Sequence, residues 1–244
     1  MFQRLQTKIK NLEVQVEKLK IQNEKLRARN EILSNRIPAP VDTLEHNGVN
    51  SMDKFYSQEE SIAKYHAPLQ QSVYEMFLDA LDDMKLAKNA KVLDAGCGLG
   101  IFTNMVREHW AQNVSGFDFS EVAVKKAQAK YKKIKFFVHN IYENLGDTYD
   151  VIICTETLEH LANPDKAVKN LILALKDGGS LFLTVPDGRI DYSSKHINFW
   201  SPESWTLYIK KIGKGCGVVS GAIQCPTKAA LRYNWAILTK SHAL

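Results

Sequence analysis

No stretch of the 244 residues approaches the roughly 18 consecutive apolar positions that a membrane-spanning helix requires. The N-terminus is charged and has no apolar core behind it, so neither export nor a membrane span is expected. The four cysteines, Cys97, Cys154, Cys216 and Cys225, show no CxxC spacing. That pattern implies no disulfide framework and suits a reduced, cytoplasmic setting. An excess of one charge is also missing from most of the chain. The net +5 lies within residues 1–37, which hold nine Lys/Arg and four Asp/Glu, while the rest carries 23 of each sign. A neutral body is not built to grip phosphate backbones, so a nucleic-acid partner is not expected.

Glycine and proline are absent from the first 37 residues. There Phe2, Leu5, Ile9, Leu12, Val16, Leu19, Asn23, Leu26, Asn30, Leu33 and Ile37 fall alternately three and four apart, the seam of a coiled coil. Leucine fills every d position. Ile9 and Val16 at a favour two parallel strands, and Asn23 and Asn30 at a fix the register. The expectation is a parallel homodimer formed through residues 1–37. Pro38 and Pro40 end the helix, and the polar, unpatterned residues 38–54 read as a linker.

Residues 55–244 read as one α/β domain. Short β-rich runs at 91–95, 114–118, 134–139, 149–154 and 180–185, with weaker ones near 217–223 and 235–239, alternate with helical patterns at about 66–86, 102–111, 120–132, 164–176 and 202–212. Such alternation predicts a mostly parallel sheet with helices on both faces, binding its ligand beyond the carboxyl ends of the strands. The loop after the first strand is VLDAGCGLG, residues 92–100, whose glycines let backbone approach a ligand closely. A dinucleotide fingerprint would need its third glycine at 101, where Ile101 stands. The second strand ends in Asp118, placed to accept both hydroxyls of a ribose, followed by Phe119, which can pack on an adenine face. Asn140 after the third strand can offer an amide to an adenine edge, or act only as a turn residue. After the fourth strand, Glu156, Glu159 and His160 share a face if that segment is helical, and suit either acid–base chemistry or a hard metal.

VLDAGCGLG, GFDFSE, TYDVIICTETLEHLANP and LKDGGSLFLTVPDG occur in this order over about residues 60–212. Together they resemble the class I S-adenosylmethionine-dependent methyltransferases, most closely the group that includes the ubiquinone-biosynthesis O-methyltransferases. The resemblance implies a Rossmann-like, seven-stranded sheet with its last strand antiparallel, and S-adenosylmethionine as cofactor with S-adenosylhomocysteine as product. It implies that Asp94, Gly96, Cys97 and Gly98 line the methionine part, that Asp118 holds the ribose and Phe119 the adenine, that Asn140 and Ile141 edge the adenine, and that Cys154 and Thr155 close the floor. The family usually has Asp where Asn140 stands. Some relatives with a Glu-x-x-Glu-His sequence are thought to bind a divalent metal; none is assigned here.

Methyl transfer to a hydroxyl profits from a general base. His160 is the first candidate and His196 the second. His196 lies in DGRIDYSSKHINFWSPESW, residues 187–205, expected to wall the acceptor pocket, with Asp187, Arg189, Asp191, Asn198 and Trp200 as candidate contacts. Residues 56–65 are a candidate lid. The expected activity is methylation of a hydroxyl or amine on a small molecule or glycan. The competing readings are a nicotinamide-dependent dehydrogenase, an RNA methyltransferase, and a coiled-coil scaffold carrying a degenerate methyltransferase fold.

Overall fold

The computed structural model describes residues 15–18, 20, 47–82, 84, 87, 89–111, 113–228 and 230–241. Of the predicted coiled coil, only 15–18 and 20 belong to this set; they are helical and exposed. The heptad seam and the parallel homodimer therefore lie outside the described residues. So does most of the 38–54 stretch.

The described chain opens with three helices, α1 (Val49–Ser57), α2 (Glu59–His66) and α3 (Pro68–Asp82). Helix α1 starts inside the stretch read as linker. Its apolar Val49, Met52, Phe55 and Tyr56 recur at three- and four-residue intervals, a face too short to stand out among polar neighbours. Tyr56 is buried, with Met52 and Phe55 packed on the core. Six further elements follow: β1 (Lys91–Ala95), α4 (Ile101–His109), β2 (Asn113–Asp118), α5 (Glu121–Lys130), β3 (Lys135–Val138) and β4 (Tyr149–Thr155). The remainder comprises a 3-10 turn (Leu158–His160), α6 (Pro164–Leu173), β5 (Leu175–Pro186), α7 (Pro202–Ile212), β6 (Cys216–Gln224) and β7 (Arg232–Lys240).

The seven strands form one sheet in the order β3-β2-β1-β4-β5-β7-β6. Strands β1 to β5 pair in parallel, and β7 is antiparallel to both neighbours. Alternation along the central strands divides the interior. Val92, Val151, Ile153 and Phe182 pack with α3 and α4. Leu93, Ile152, Leu181 and Leu183 pack with α6, α7 and the fully buried Trp205. Local chemistry sets the helix starts. Ser120 accepts from Ala123 N, Asn163 from Lys166 N and Ser201 from Ser204 N, with proline in the first turn of α6 and α7. The order reverses at β1, where β1 lies between β2 and β4, and the carboxyl ends of these strands open a crevice there. No helix among the described residues is long and apolar enough to cross a membrane.

Candidate functional site

The crevice has two lobes, of about 460 Å³ and about 290 Å³, within the range of ligand cavities. Tyr56, Tyr65, Gly96, Glu156 and His160 border both. The larger lobe is lined by Asp94, Gly96, Cys97, Gly98, Thr155, Glu159 and His196. Asp118, Phe119, His139, Asn140 and Ile141 line the smaller. Cys154 lines neither; its side chain is fully buried in the core beside α6 and α7.

The glycine loop is built by backbone conformation. Gly96 has φ 81° and Gly98 φ 49°, in the left-handed region. A Cβ on Gly96 would collide with the Thr157 hydroxyl, and one on Gly98 would come within 3.0 Å of the Tyr56 hydroxyl. Asp118 clamps the loop from the neighbouring strand. Its Oδ2 accepts from Gly98 N and its Oδ1 from Ser120 N, each at 2.9 Å. A carboxylate offers about four lone-pair sites, so acceptor capacity remains for a ligand in the smaller lobe, which Asp118 lines. Asp94 Oδ2 accepts from Thr103 Oγ1 at 2.6 Å. Burial pushes the Asp94 carboxyl up to about 7 and the Asp118 carboxyl up to about 6. Asn140 Oδ1 accepts from Tyr142 N at 3.0 Å, which makes it a turn-former, and its NH2 stays available to a ligand.

The segment after β4 does not continue as a helix from Glu156. Only Leu158–His160 form a single 3-10 turn, and Glu156 precedes it with φ 50°, the only left-handed non-glycine among the described residues. The shared-face argument for Glu156, Glu159 and His160 therefore fails. A β-strand edge and a tight turn bring them together instead. Thr184 pins the strained residue: its carbonyl accepts from Glu156 N and its hydroxyl donates to Glu156 Oε1, both at 3.1 Å. Burial raises both Glu156 and Glu159, and Glu159 Oε2 has no hydrogen-bond partner among the described residues.

His160 and His196 meet edge to face with ring centroids 4.7 Å apart. His160 Nδ1 lies 3.2 Å from the Lys195 carbonyl, and His196 Nδ1 lies 2.6 Å from Asp191 Oδ2. A carbonyl only accepts, so His160 carries its proton on Nδ1, and Asp191 favours the same tautomer in His196. His160 Nε2 is left with a lone pair. Burial, reinforced by His196, drops the His160 pKa to about 4. Ligand-capable atoms of Glu159, His160 and His196 all lie within 4.8 Å of one another, the one group among the described residues placed to hold a metal ion.

Of the segment after β5, Ser193 and His196 line the crevice. The five candidate acceptor contacts do other work. Asp187 is fully buried and ion-paired with Arg189 and Arg232. Asp191 holds His196, Asn198 donates to the Leu158 and Leu161 carbonyls, and Trp200 packs on Trp205 and Tyr208. Sequence reasoning missed Tyr74 and Tyr233, which come to the larger lobe from α3 and β7. No local motif marks either one.

A family model described as a methyltransferase domain matches residues 68–213. A ubiquinone biosynthesis O-methyltransferase of Idiomarina loihiensis is 30% identical over 128 residues, covering 46% of this chain and 51% of its own. The chain thus spans about half the length of this curated relative. Among solved structures, a methyltransferase from Haloferax volcanii, complexed with the Trm112 methyltransferase activator, superposes with TM-score 0.66 at 15% identity, covering 80% of this chain and 98% of its own. The magnesium protoporphyrin IX methyltransferase of Synechocystis, with S-adenosylmethionine bound, gives 0.56 at 21%, covering 71% and 80%.

Proposed function

Because the chain belongs to the methyltransferase-domain family, matched over more than half its length, we propose that it is an S-adenosylmethionine-dependent methyltransferase acting on a hydroxyl or amine of a small molecule or glycan. The observation that carries this reading is the crevice itself. A ribose-capable carboxylate, Asp118, is locked to a glycine loop with no room for side chains, and beside it lies a lobe lined by the buried carboxylates Asp94, Glu156 and Glu159. Asp94, Glu156 and Glu159 are all raised by burial. A cofactor bearing a permanent sulfonium and an ammonium beside one carboxylate brings net positive charge to these acids, so these residues fit that group.

Bound, the cofactor supplies an electrophilic methyl group. Asp118 would hold the ribose, Phe119, Asn140 and Ile141 the adenine, and Asp94, Gly96, Cys97 and Gly98 the methionine part, with Thr155 at the floor. The chain's further task is alignment and proton removal. His160 and His196 both line the larger lobe. Asp191 orients His196, as the carboxylate does in a base–carboxylate pair. Burial holds His160 neutral.

The test is methyl transfer from labelled S-adenosylmethionine to a panel of hydroxyl and amine acceptors. Label should move to at least one class, and His196→Ala should slow transfer by about 10²–10⁴-fold, the scale of a lost general base. Transfer unaffected by His196→Ala and His160→Ala alike would remove both histidines from the chemistry.

A further inference from the structure

Residues 47–66 roof both lobes, with Tyr56 buried in the core, and three of the contacts that fasten this roof reach the site. Asp53 Oδ1 accepts from Ser120 Oγ at 2.5 Å, beside the ribose carboxylate. Lys195 Nζ lies 3.6 Å from the Phe55 ring centroid. Asn47 makes the third contact. One terminal atom of its side chain lies 3.2 Å from the His160 carbonyl and 2.9 Å from the Lys195 carbonyl. Two carbonyls can only accept, so that atom is the amide nitrogen, with both protons committed. The other atom, Oδ1, is buried and has no partner among the described residues. Asn47 also borders the smaller lobe.

The two carbonyls belong to one candidate base and to the residue preceding the other. The Lys195 carbonyl also receives His160 Nδ1. A single carboxamide from the roof thus closes a ring through both histidine-bearing segments, one after β4 and one after β5. Asn198 ties these two segments to each other through the Leu158 and Leu161 carbonyls. Of the residues in this ring, Asn47 alone belongs to the roof.

We propose that Asn47 is a positioning residue: its carboxamide couples the seating of the roof over the bound cofactor to the placement of His160 and His196. The proposal rests on the methyltransferase reading. It adds that closing the roof tightens the acceptor side of the site, whose two segments Asn198 and the Glu159 carbonyl already join. A roof lifted to admit the cofactor takes Asn47 away from both carbonyls. Closure restores both bonds at the border of the smaller lobe.

The experiment follows hydrogen exchange and S-adenosylhomocysteine dissociation in the full chain and in Asn47→Leu, which keeps the volume without the polar atoms. In the unsubstituted protein the ligand should slow exchange together in 91–100, 49–57 and 193–198. In Asn47→Leu the glycine-loop protection should persist and that of 193–198 should disappear, with the ligand leaving about 10-fold faster, the scale of losing two hydrogen bonds. Asn47→Asp, which sets an acceptor against two carbonyls, should behave like Asn47→Leu. A general loss of stability would instead speed exchange in every strand. Retained protection at 193–198 with dissociation within twofold overturns the coupling. Failure of the unsubstituted protein to bind the ligand overturns the methyltransferase reading itself.

Discussion

Asp118→Asn separates the two roles that one carboxylate fills. In the native protein each oxygen accepts one backbone amide, from Gly98 and from Ser120, each at 2.9 Å in a buried setting. Asparagine keeps one acceptor and sets an NH2 against the other amide. One buried N–H loses its partner, which costs about 1–3 kcal/mol. For a domain of this size that lowers Tm by about 2–12 °C. The ligand loses separately. A hydroxyl bond to a charged acceptor contributes about 1.5–3 kcal/mol, and removing one weakens S-adenosylhomocysteine binding by about 10–100-fold. Calorimetric titration well below the lowered Tm isolates the second effect from the first. If Tm falls as stated and affinity stays within twofold, Asp118 is only a clamp for the glycine loop, and the ribose role is refuted.

Three further outcomes follow from the same geometry. Burial raises Asp94 to about 7 and Asp118 to about 6, so the folded, ligand-free protein retains protons that the unfolded chain has lost. That contribution to stability is lost as pH rises from the ordinary carboxylate range through about 7. A permanently cationic cofactor favours the ionised forms, so S-adenosylmethionine should bind more tightly as pH rises from 5 to 8, and a flat or opposite calorimetric profile would contradict this. Gly96→Ala should abolish ligand binding and lower Tm, because its Cβ would enter the Thr157 side chain at φ 81°. Gly146→Ala, at φ 66° with nothing within 4 Å, should cost only about 1–2 kcal/mol of backbone strain and leave affinity intact. Trp205→Ala, in the fully buried core between α7 and β7, should cost about 3–5 kcal/mol in denaturant unfolding without altering the affinity of the folded fraction.

What the sequence disclosed and what it hid divide along a physical line. The central strands were legible because Val92, Leu93, Ile152 and Ile153 form continuous apolar runs, as strands buried on both faces must. The glycine loop and Asp118 were legible because their chemistry is local to a strand end. The roof was only partly legible. Residues 56–65 read as a lid, yet most of α1 reads as linker, since its nine residues bury a face only against a distant part of the chain. The geometry after β4 was misjudged for a related reason. Glu156 takes a left-handed conformation that no local signal requires, and Thr184, 28 residues on, holds it there. Asp191 and Asn198 looked like acceptor contacts in a polar segment, and only tertiary structure shows them bound to His196 and to the turn after β4. Tyr74 and Tyr233 reach the larger lobe through long-range packing, which spacing does not encode.

The central claim is that the crevice binds S-adenosylmethionine and its product. Calorimetric titration of the purified protein with S-adenosylhomocysteine, beside a matched titration with NADH, tests it most directly. The account predicts micromolar binding of the former and none of the latter. Tight NADH binding, or binding of neither, would contradict it.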